Sequence, residues 1–503
     1  MRRDVYAGHY PLNDMLSAHT STTKKCVILG AGPAGLSLAM RLLRRTGDRF
    51  EVVLIDRRST VGGMSSSFTV EGLTFDYGSH RLHPVIASDT LTDIRGLIGK
   101  DLLERPRRGR ICMMNRFVSF PLTPANSLRH LPLSFLAGLT ADLIRMPFRT
   151  GRSPRRTFAD ELRSSLGSTT CRSFYFPFSE KLWGLPPERL SADQARRRVS
   201  QKAIVPLIQK VIRAGIPSGG SPTGWYYYPR KGYGQIPDAM AEEVRNRGGT
   251  ILLSTRPAAI QVRENGRFAI RTESRGLDGS DRWQPHSLLK ADLLFSTIPI
   301  HALVHTLNPK PPASVIQAVS ALRYRCLVLV YLILESPRFS PFDCHYFPEQ
   351  QFIFSRVSEP KHYRAADTPV DATGLCAEIP CWKQDAIWDD PDDRLGARVI
   401  TDLRKSGIPV TVPVRKVFTK RLSHAYPVYE LDYARNLEQV KRYLGAIPNL
   451  IRLGRQALFL HDNIHHALTM GSLAADCVGP DGSYNFERWR AAGEQFLSFT
   501  VED

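Results

Sequence analysis

The chain has 503 residues, 42% of them hydrophobic and 23% charged, which excludes wholesale disorder and leaves room for two or three domains. The formal net charge is +20, yet the basic runs "RPRRGR" (105–110), "RTGRSPRR" (149–156) and "ARRR" (195–198) carry no interleaved aromatics, so a nucleic-acid stacking platform is excluded. Eight cysteines form no CxxC pair, so neither a zinc site nor a redox dithiol is expected, and reduced thiols fit a cytoplasmic protein.

Residues 1–23 read as a polar extension without an apolar leader. "CVILG" (26–30) is a β-branched apolar run of the kind that forms a buried parallel strand. Gly30, Gly32 and Gly35 follow as G-x-G-x-x-G, and "LSLAMRLLRR" (36–45) continues with helical spacing. In this strand–turn–helix unit Gly30 permits the turn, Gly32 lets the backbone approach a pyrophosphate, and Gly35 lets helix and strand pack closely. A second strand, "FEVVLID" (50–56), ends in Asp56, whose carboxylate can accept from both ribose hydroxyls of an adenosine. Arg57 and Arg58 could hold the extra phosphate of NADP, but Asp56 would repel it. Paired glycines Gly62 and Gly63, with Met64 and Ser65, supply a second loop of backbone donors, which a flavin dinucleotide needs and a simple nicotinamide enzyme does not. The expected cofactor is FAD.

"LPLSFLAGLTADLIRMPF" (131–148) is too short and too charged to span a bilayer and reads as a buried helix, with membrane contact as the alternative. "TFADELRSSLG" (157–167) opens on an N-cap threonine. "GGTILLSTRPAAIQV" (248–262) and "RFAIRTES" (267–274) read as strands joined by "RENG", and "RGLDGSDRWQP" (275–285) as a polar, solvent-exposed hairpin tip. "CLVLVYLILE" (326–335) reads as a strand of a mixed sheet. No metal-ligand cluster is expected, and no carboxylate–His–Ser set has a spacing that argues hydrolysis.

The ordered blocks from about 24 to 476 resemble the flavin-containing amine oxidase and protoporphyrinogen oxidase superfamily. "GLTFDYGSHRLHP" (72–84) is similar to its D-x-G-G-H-R segment, with Ser79 in place of the second glycine. "YFPFSEKLWGLPPERLSADQARRRV" (175–199) and "YYYPRKGYGQIPDAM" (226–240) resemble segments of its bacterial protoporphyrinogen-oxidase-like branch. "ADLLFSTIP" (291–299) matches a strand returning to the cofactor domain, and "HAYPVYELDY" (424–433) with "NLIRLGRQALFLHDNIHHALTMGSLAAD" (449–476) resembles the closing segment. The same blocks are similar to UDP-galactopyranose mutases, which use reduced FAD without net redox. Ala457, His461 and His465 replace the closing segment's usual glycine, tyrosine and aspartate. Arg325 stands where monoamine oxidases carry a lysine beside the flavin, and a guanidinium cannot serve as a neutral base.

The resemblance implies an α/β fold in which a Rossmann-type FAD-binding domain (24–90, 225–300 and 445–490) interweaves with a mixed-sheet and helical substrate domain (91–224 and 301–444). It implies cofactor contacts from Gly30, Gly32, Ala34, Gly35, Asp56, Arg57, Gly62, Gly63, Met64, Ser65, Gly78, Ser79, His80, Gly454 and Arg455. On the substrate side it points to Arg198, Arg325, Arg356, Tyr426 and His461, and for chemistry to His80, Arg356, Tyr426, His461 and His466. Trp183 reads as core packing. The expected activity is hydride transfer from a small polar or anionic biosynthetic intermediate to FAD. A non-redox sugar-nucleotide mutase and a FAD-binding partner without turnover are the alternatives.

Overall fold

The structure is a computed structural model and describes residues 23–120, 130–145, 157–198, 224–276, 281–366 and 368–501. The N-terminal extension up to residue 22 and the basic run at 149–156 lie outside them.

The first apolar run forms the strand Lys24–Leu29, which pairs in parallel with Phe50–Ile55 on one side and Leu293–Ser296 on the other. Thr250–Leu252 and Leu450–Arg452 complete a five-stranded parallel sheet. Both of its faces are covered, as the unbroken apolar runs require. Helices Pro33–Thr46, Gln235–Asn246 and Ile464–Asp476 bury Leu36, Met40, Met240 and Met470 on one face. Helices Ile300–Thr306, Ala313–Ser320 and Tyr433–Gly445 bury Leu303, Val315 and Leu444 on the other, against Val27 and Leu29.

A seven-stranded sheet forms the second body. Its strand Tyr324–Leu334, second from one edge, is buried at all 11 positions and lies antiparallel between Thr373–Cys381 and the edge strand Val414–Pro427. Arg356–Ser358, Cys344–Tyr346, Gly109–Met113 and Arg116–Phe120 follow in order outward from Thr373–Cys381. A helical layer of Phe158–Thr170, Phe176–Trp183 and Ala192–Arg198 packs nearby through Phe158, Leu162 and Trp183. The expected cap is present: Asp160 N–H donates to Thr157 Oγ1 at 3.1 Å, and Asp160 accepts from Thr157 N–H at 3.3 Å. The strands Thr255–Val262 and Phe268–Ser274 form a hairpin that continues into Gln284–Ala291.

One expectation changes. Within the apolar stretch at 131–148 the described residues form the helix Leu133–Arg145, but it is only half buried, with Leu133 and Ile144 facing solvent. In the hairpin segment at 275–285, Asp281, Arg282, Gln284 and Pro285 are exposed as expected, and Arg275, Asp281 and Trp283 also reach the wall of the main cavity. Arg256 and Arg275 flank the Trp283 ring at 4.3 and 4.9 Å and turn it inward.

The glycine turn is sterically specific. Gly30 adopts φ +103° and donates to the carbonyl of Ile55 at 2.8 Å. A Cβ on Gly35 would stand 2.1 Å from the carbonyl oxygen of Gly30. Gly35→Ala is therefore expected to cost about 1–3 kcal/mol by overpacking, measured as a lower urea midpoint at unchanged slope. An unshifted midpoint would show that the turn relaxes freely.

Candidate cofactor cleft

The parallel strands Lys24–Leu29, Phe50–Ile55 and Leu293–Ser296 end at one large cavity, of about 1290 Å³. That exceeds the roughly 300–1000 Å³ of ordinary small-ligand sites. Its far wall is the segment Lys420 to His424 of the seven-stranded sheet. Gly30, Gly32, Ala34, Asp56, Arg57, Gly63, Met64, Ser65, His80, Gly454 and Arg455 all line it.

Each glycine element shapes this wall differently. Gly32 caps the helix Pro33–Thr46, and nothing lies within 4 Å of where its Cβ would be, so the helix N-terminus meets open space. Free N–H groups at a helix start favour phosphate. Gly62 donates to the carbonyl of Ala31 at 2.8 Å, tying the paired-glycine loop to the glycine turn. Asp56 accepts from the N–H groups of Ala31 and Arg58, each at 2.9 Å. Both bonds hold the carboxylate at the cavity edge. Arg57 is depressed from its ordinary value, first by burial and then by the neighbouring Arg58.

Gly35, Gly62, Gly78 and Ser79 stand behind the cavity wall rather than in it. The loop bearing the last two is held from the opposite sheet. Glu378, buried in the strand Thr373–Cys381, accepts the N–H of Ser79 at 2.8 Å. The same carboxylate accepts from Arg356 Nε at 3.0 Å and Nη2 at 2.8 Å. Gly78 turns at φ +97°, and a Cβ there would press on Glu378 Oε1 at 3.3 Å. On the other side, Asp76 is buried and accepts from the Tyr228 hydroxyl, Ser67 Oγ at 2.5 Å and Tyr233 N–H at 3.1 Å. Arg81 reaches Asp343 at 3.1 Å and the Tyr346 hydroxyl at 2.9 Å. His80 lies between these anchors. It donates Nε2–H to the carbonyl of Tyr77 at 3.2 Å and stacks on Tyr233. Burial lowers its pKa against the opposing pull of Asp76.

Gly454 and Arg455 open a short helix, Gly454–Leu458. Arg455 Nε donates to Asp462 Oδ1 at 2.6 Å and its Nη2 to the Asp462 carbonyl, so its charge is balanced locally. Behind Arg455 the structure groups Arg198, Tyr426, His461 and Trp183. The Arg198 guanidinium carbon is 5.2 Å from both the Trp183 and Tyr426 rings, and Arg455 is 5.8 Å from the Tyr426 ring. His461 lies 5.3 Å from Trp183, donates Nε2–H to Gln194 Oε1 at 3.2 Å, and is held well below its usual pKa, first by burial and then by Arg198.

Arg198, Arg325, Arg356, Tyr426, His461 and His466 do not line the cavity. Arg325 donates to the carbonyls of Leu182, Lys181 and Pro380 at 3.2–3.3 Å and so braces a helix against the central sheet. His466 accepts the N–H of Asn463 at 3.1 Å, capping the helix Ile464–Asp476, and stacks on Phe499 at 4.1 Å. Glu378, Asp76, Asp343 and Asp462 were not singled out from the sequence. Glu378 leaves one readable trace, a lone charge in the apolar run "TGLCAEIPC" (373–381).

A twice-covered parallel sheet with a glycine turn, an acid after the second strand and a large cleft at the strand ends defines a dinucleotide-binding protein. The sequence profile described as flavin containing amine oxidoreductase matches residues 33–478, and the chain belongs to that family. Its cofactor is FAD, and the cradle at Gly32, the Asp56 carboxylate and the second loop at Gly62–Gly63 fit that group. Among solved structures, reduced UDP-galactopyranose mutase superimposes with a TM-score of 0.75 at 20% identity, covering 95% of this chain and 100% of that one. A protein from Exiguobacterium sp. 255-15, provisionally assigned as a protoporphyrinogen oxidase, gives 0.67 at 19% identity over 90% and 98% of the two chains. A double mutant of putrescine oxidase gives 0.59 at 15% identity over 90% and 99%. These likenesses establish the fold. Carotenoid phi-ring synthase of Chlorobaculum tepidum is 36% identical over 72 residues, 14% of this chain and 11% of the synthase.

Two outcomes follow from the site. Glu378→Ala leaves Arg356 buried without its carboxylate and is expected to cost about 3–5 kcal/mol. The pair Glu378→Ala/Arg356→Met should recover part of that loss in denaturant titrations. The second concerns acid. Burial depresses His345 to about 3, His424 to about 4, His465 to about 4 and His466 to about 3. These histidines take up protons more readily when unfolded, where the ordinary value is about 6.5. Their contribution is complete above that value and is lost as pH falls towards 3–4. Stability should fall between pH 6.5 and 4, and His466→Phe should flatten the slope while lowering stability at pH 7 through loss of the cap.

Proposed function

We propose that the chain is a cytoplasmic FAD-dependent oxidoreductase that removes a hydride from a small polar substrate, sugar- or amine-bearing, at a C–H beside nitrogen or oxygen. FAD supplies the electron-accepting ring when bound. The chain supplies position and a water-poor site. In this reading Gly30, Gly32 and Ala34 receive the diphosphate, Asp56 and Arg57 the adenosine, and Gly63, Met64 and Ser65 the ribityl chain. His80, Gly454 and Arg455 border the ring, with Gly35, Gly62, Gly78 and Ser79 shaping the backbone behind them.

The observation that carries the reading is how the polar groups at this end are already spent. His80 is bonded to the Tyr77 carbonyl, Arg455 is paired with Asp462, and Arg356 is paired with Glu378. None stands ready as a strong base or nucleophile, which suits a reaction whose chemistry resides in the cofactor. Arg198, Tyr426 and His461, grouped with Trp183 behind Arg455, stand back from the cavity wall and in this reading shape its substrate side from there, favouring a polar or anionic group. Arg325 and Arg356 act as positioning residues, and His466 shapes the helix next to the cleft. The eight cysteines are free and buried, consistent with a reducing compartment.

A second reading is supported by the superposition on reduced UDP-galactopyranose mutase, which spans that whole chain. It is a sugar-nucleotide isomerisation with no net redox. Anaerobic mixing of the flavin-loaded protein with candidate substrates separates the two. An oxidoreductase bleaches the visible flavin band on substrate addition. An isomerase turns over only after prior reduction and leaves the band as it was. A band unmoved by any substrate, with no product after prior reduction, identifies a flavin-binding protein without turnover and overturns both readings.

A further inference from the structure

Past Asp56 the cavity continues to a wall that belongs to a different sheet. Thr255–Val262, Phe268–Ser274 and Gln284–Ala291 are neighbours in a four-stranded sheet, whose near end supplies Ser254, Arg256, Glu273, Arg275 and Trp283 to the lining. Backbone bonds fix that end to the acid-bearing turn. Thr255 N–H donates to the carbonyl of Asp56 at 2.8 Å, and Ser254 N–H to that of Arg58 at 2.7 Å. Arg275 N–H in turn donates to the carbonyl of Ser254 at 3.1 Å. The wall and Asp56 are therefore held in one relative position. Arg57, beside Asp56, lies close enough to Arg275 and Arg256 for both to lower its pKa, after the larger effects of burial and Arg58.

Trp283 stands between paired arginines. The guanidinium carbons of Arg256 and Arg275 lie 4.3 and 4.9 Å from its ring centroid. Arg256 donates Nε and Nη2 to Glu273 at 2.9 and 2.8 Å, and Arg275 donates Nη1 to Asp281. Both cations are thus balanced locally. Trp283 is half-buried and lines the cavity, so part of its surface is left for an occupant.

Charge and shape decide what suits this wall. A phosphate gains little from arginines that carboxylates already hold. A flat, uncharged heteroaromatic ring gains stacking area on indole and guanidinium without breaking either ion pair. An adenosine whose ribose is bonded to the acid after the second strand carries such a ring next to that ribose. We infer that Trp283, with Arg256 and Arg275 beside it, holds the adenine of FAD, given the placement of the adenosine at Asp56 and Arg57. Gly30, Gly32 and Asp56 come from the first two strands and the turns that follow them. Trp283 adds a grip from a separate sheet, on a part of the cofactor remote from its reacting ring.

The test is the release of FAD from the purified holoprotein, followed as the rise in flavin fluorescence after dilution. Trp283→Leu should release FAD about tenfold faster than the wild type, the worth of one stacked base. Trp283→Phe keeps a stacking ring and should stay within about threefold of the wild type. Leucine and phenylalanine are similar in bulk and apolarity, so a purely structural role for the indole would make the two variants behave alike. If Trp283→Leu does not fold, Arg275→Ala/Asp281→Ala removes one flank of the ring with its exposed partner and should speed release about threefold. Release from Trp283→Leu at the wild-type rate overturns the inference, as does equally fast release from the leucine and phenylalanine variants. In the second case, wild-type release from Arg275→Ala/Asp281→Ala overturns it. Wild-type protein that retains no FAD overturns the placement of the adenosine as well, which tells the two failures apart.

Discussion

The cleft depends on one buried carboxylate. Glu378 sits on a strand of the seven-stranded sheet, yet its oxygens hold the backbone of Ser79 in the loop that borders the cavity. Arg356, on the adjacent strand, closes the same carboxylate from the other side. A buried charge without a partner is strongly unfavourable, so three elements from distant parts of the chain take one relative position or none. Asp76 and Asp343 repeat the arrangement at either end of the same loop, with tyrosine hydroxyls and Arg81 as donors. The aromatic and glycine residues around His80 are ordered by these three acids, whose bonds are saturated within the protein.

This has an electrostatic consequence for the cleft. Arg455 reaches the cavity wall as half of an ion pair with Asp462. What it presents to an occupant is closer to a fixed dipole than to an isolated cation. At the other end the Asp56 carboxylate sits against the N–H of Ala31, beside the helix start capped by Gly32, and next to Arg57. Positive and negative groups therefore alternate along the cavity wall, with open backbone N–H groups at the helix start between them.

Contiguous features were legible in the sequence. Gly30, Gly32 and Gly35 lie within six residues, and their steric requirement is written in their spacing. Asp56 ends the next strand, where only one orientation is open to it. The long apolar strand at 326–335 announced a buried strand. What could not be read depends on register. Arg356 and Glu378 are 22 positions apart and meet only because their strands pair directly. Arg325 follows its strand's alternation toward the carbonyls of Lys181 and Leu182, a parity that composition does not reveal. The segment at 131–148 was read by its hydrophobicity as buried, but its apolar residues are distributed around the whole helix, more than one inner face can cover. Trp283 was hidden by the polar residues beside it, and arginines on both sides of its ring bring it to the cavity.

The strand order of the parallel sheet brings together pieces from both ends of the chain. Leu450–Arg452 lies beside Leu293–Ser296, which lies beside the first strand. Gly454 and Arg455, which complete the cleft, follow immediately. The strand Lys24–Leu29 gains its second neighbour only from Leu293–Ser296, and that neighbour its own partner only from Leu450–Arg452, so the sheet closes through contacts between widely separated segments. Pairings of such long sequence separation form late, and a FAD seat that needs Gly454 and Arg455 is complete only once they have formed.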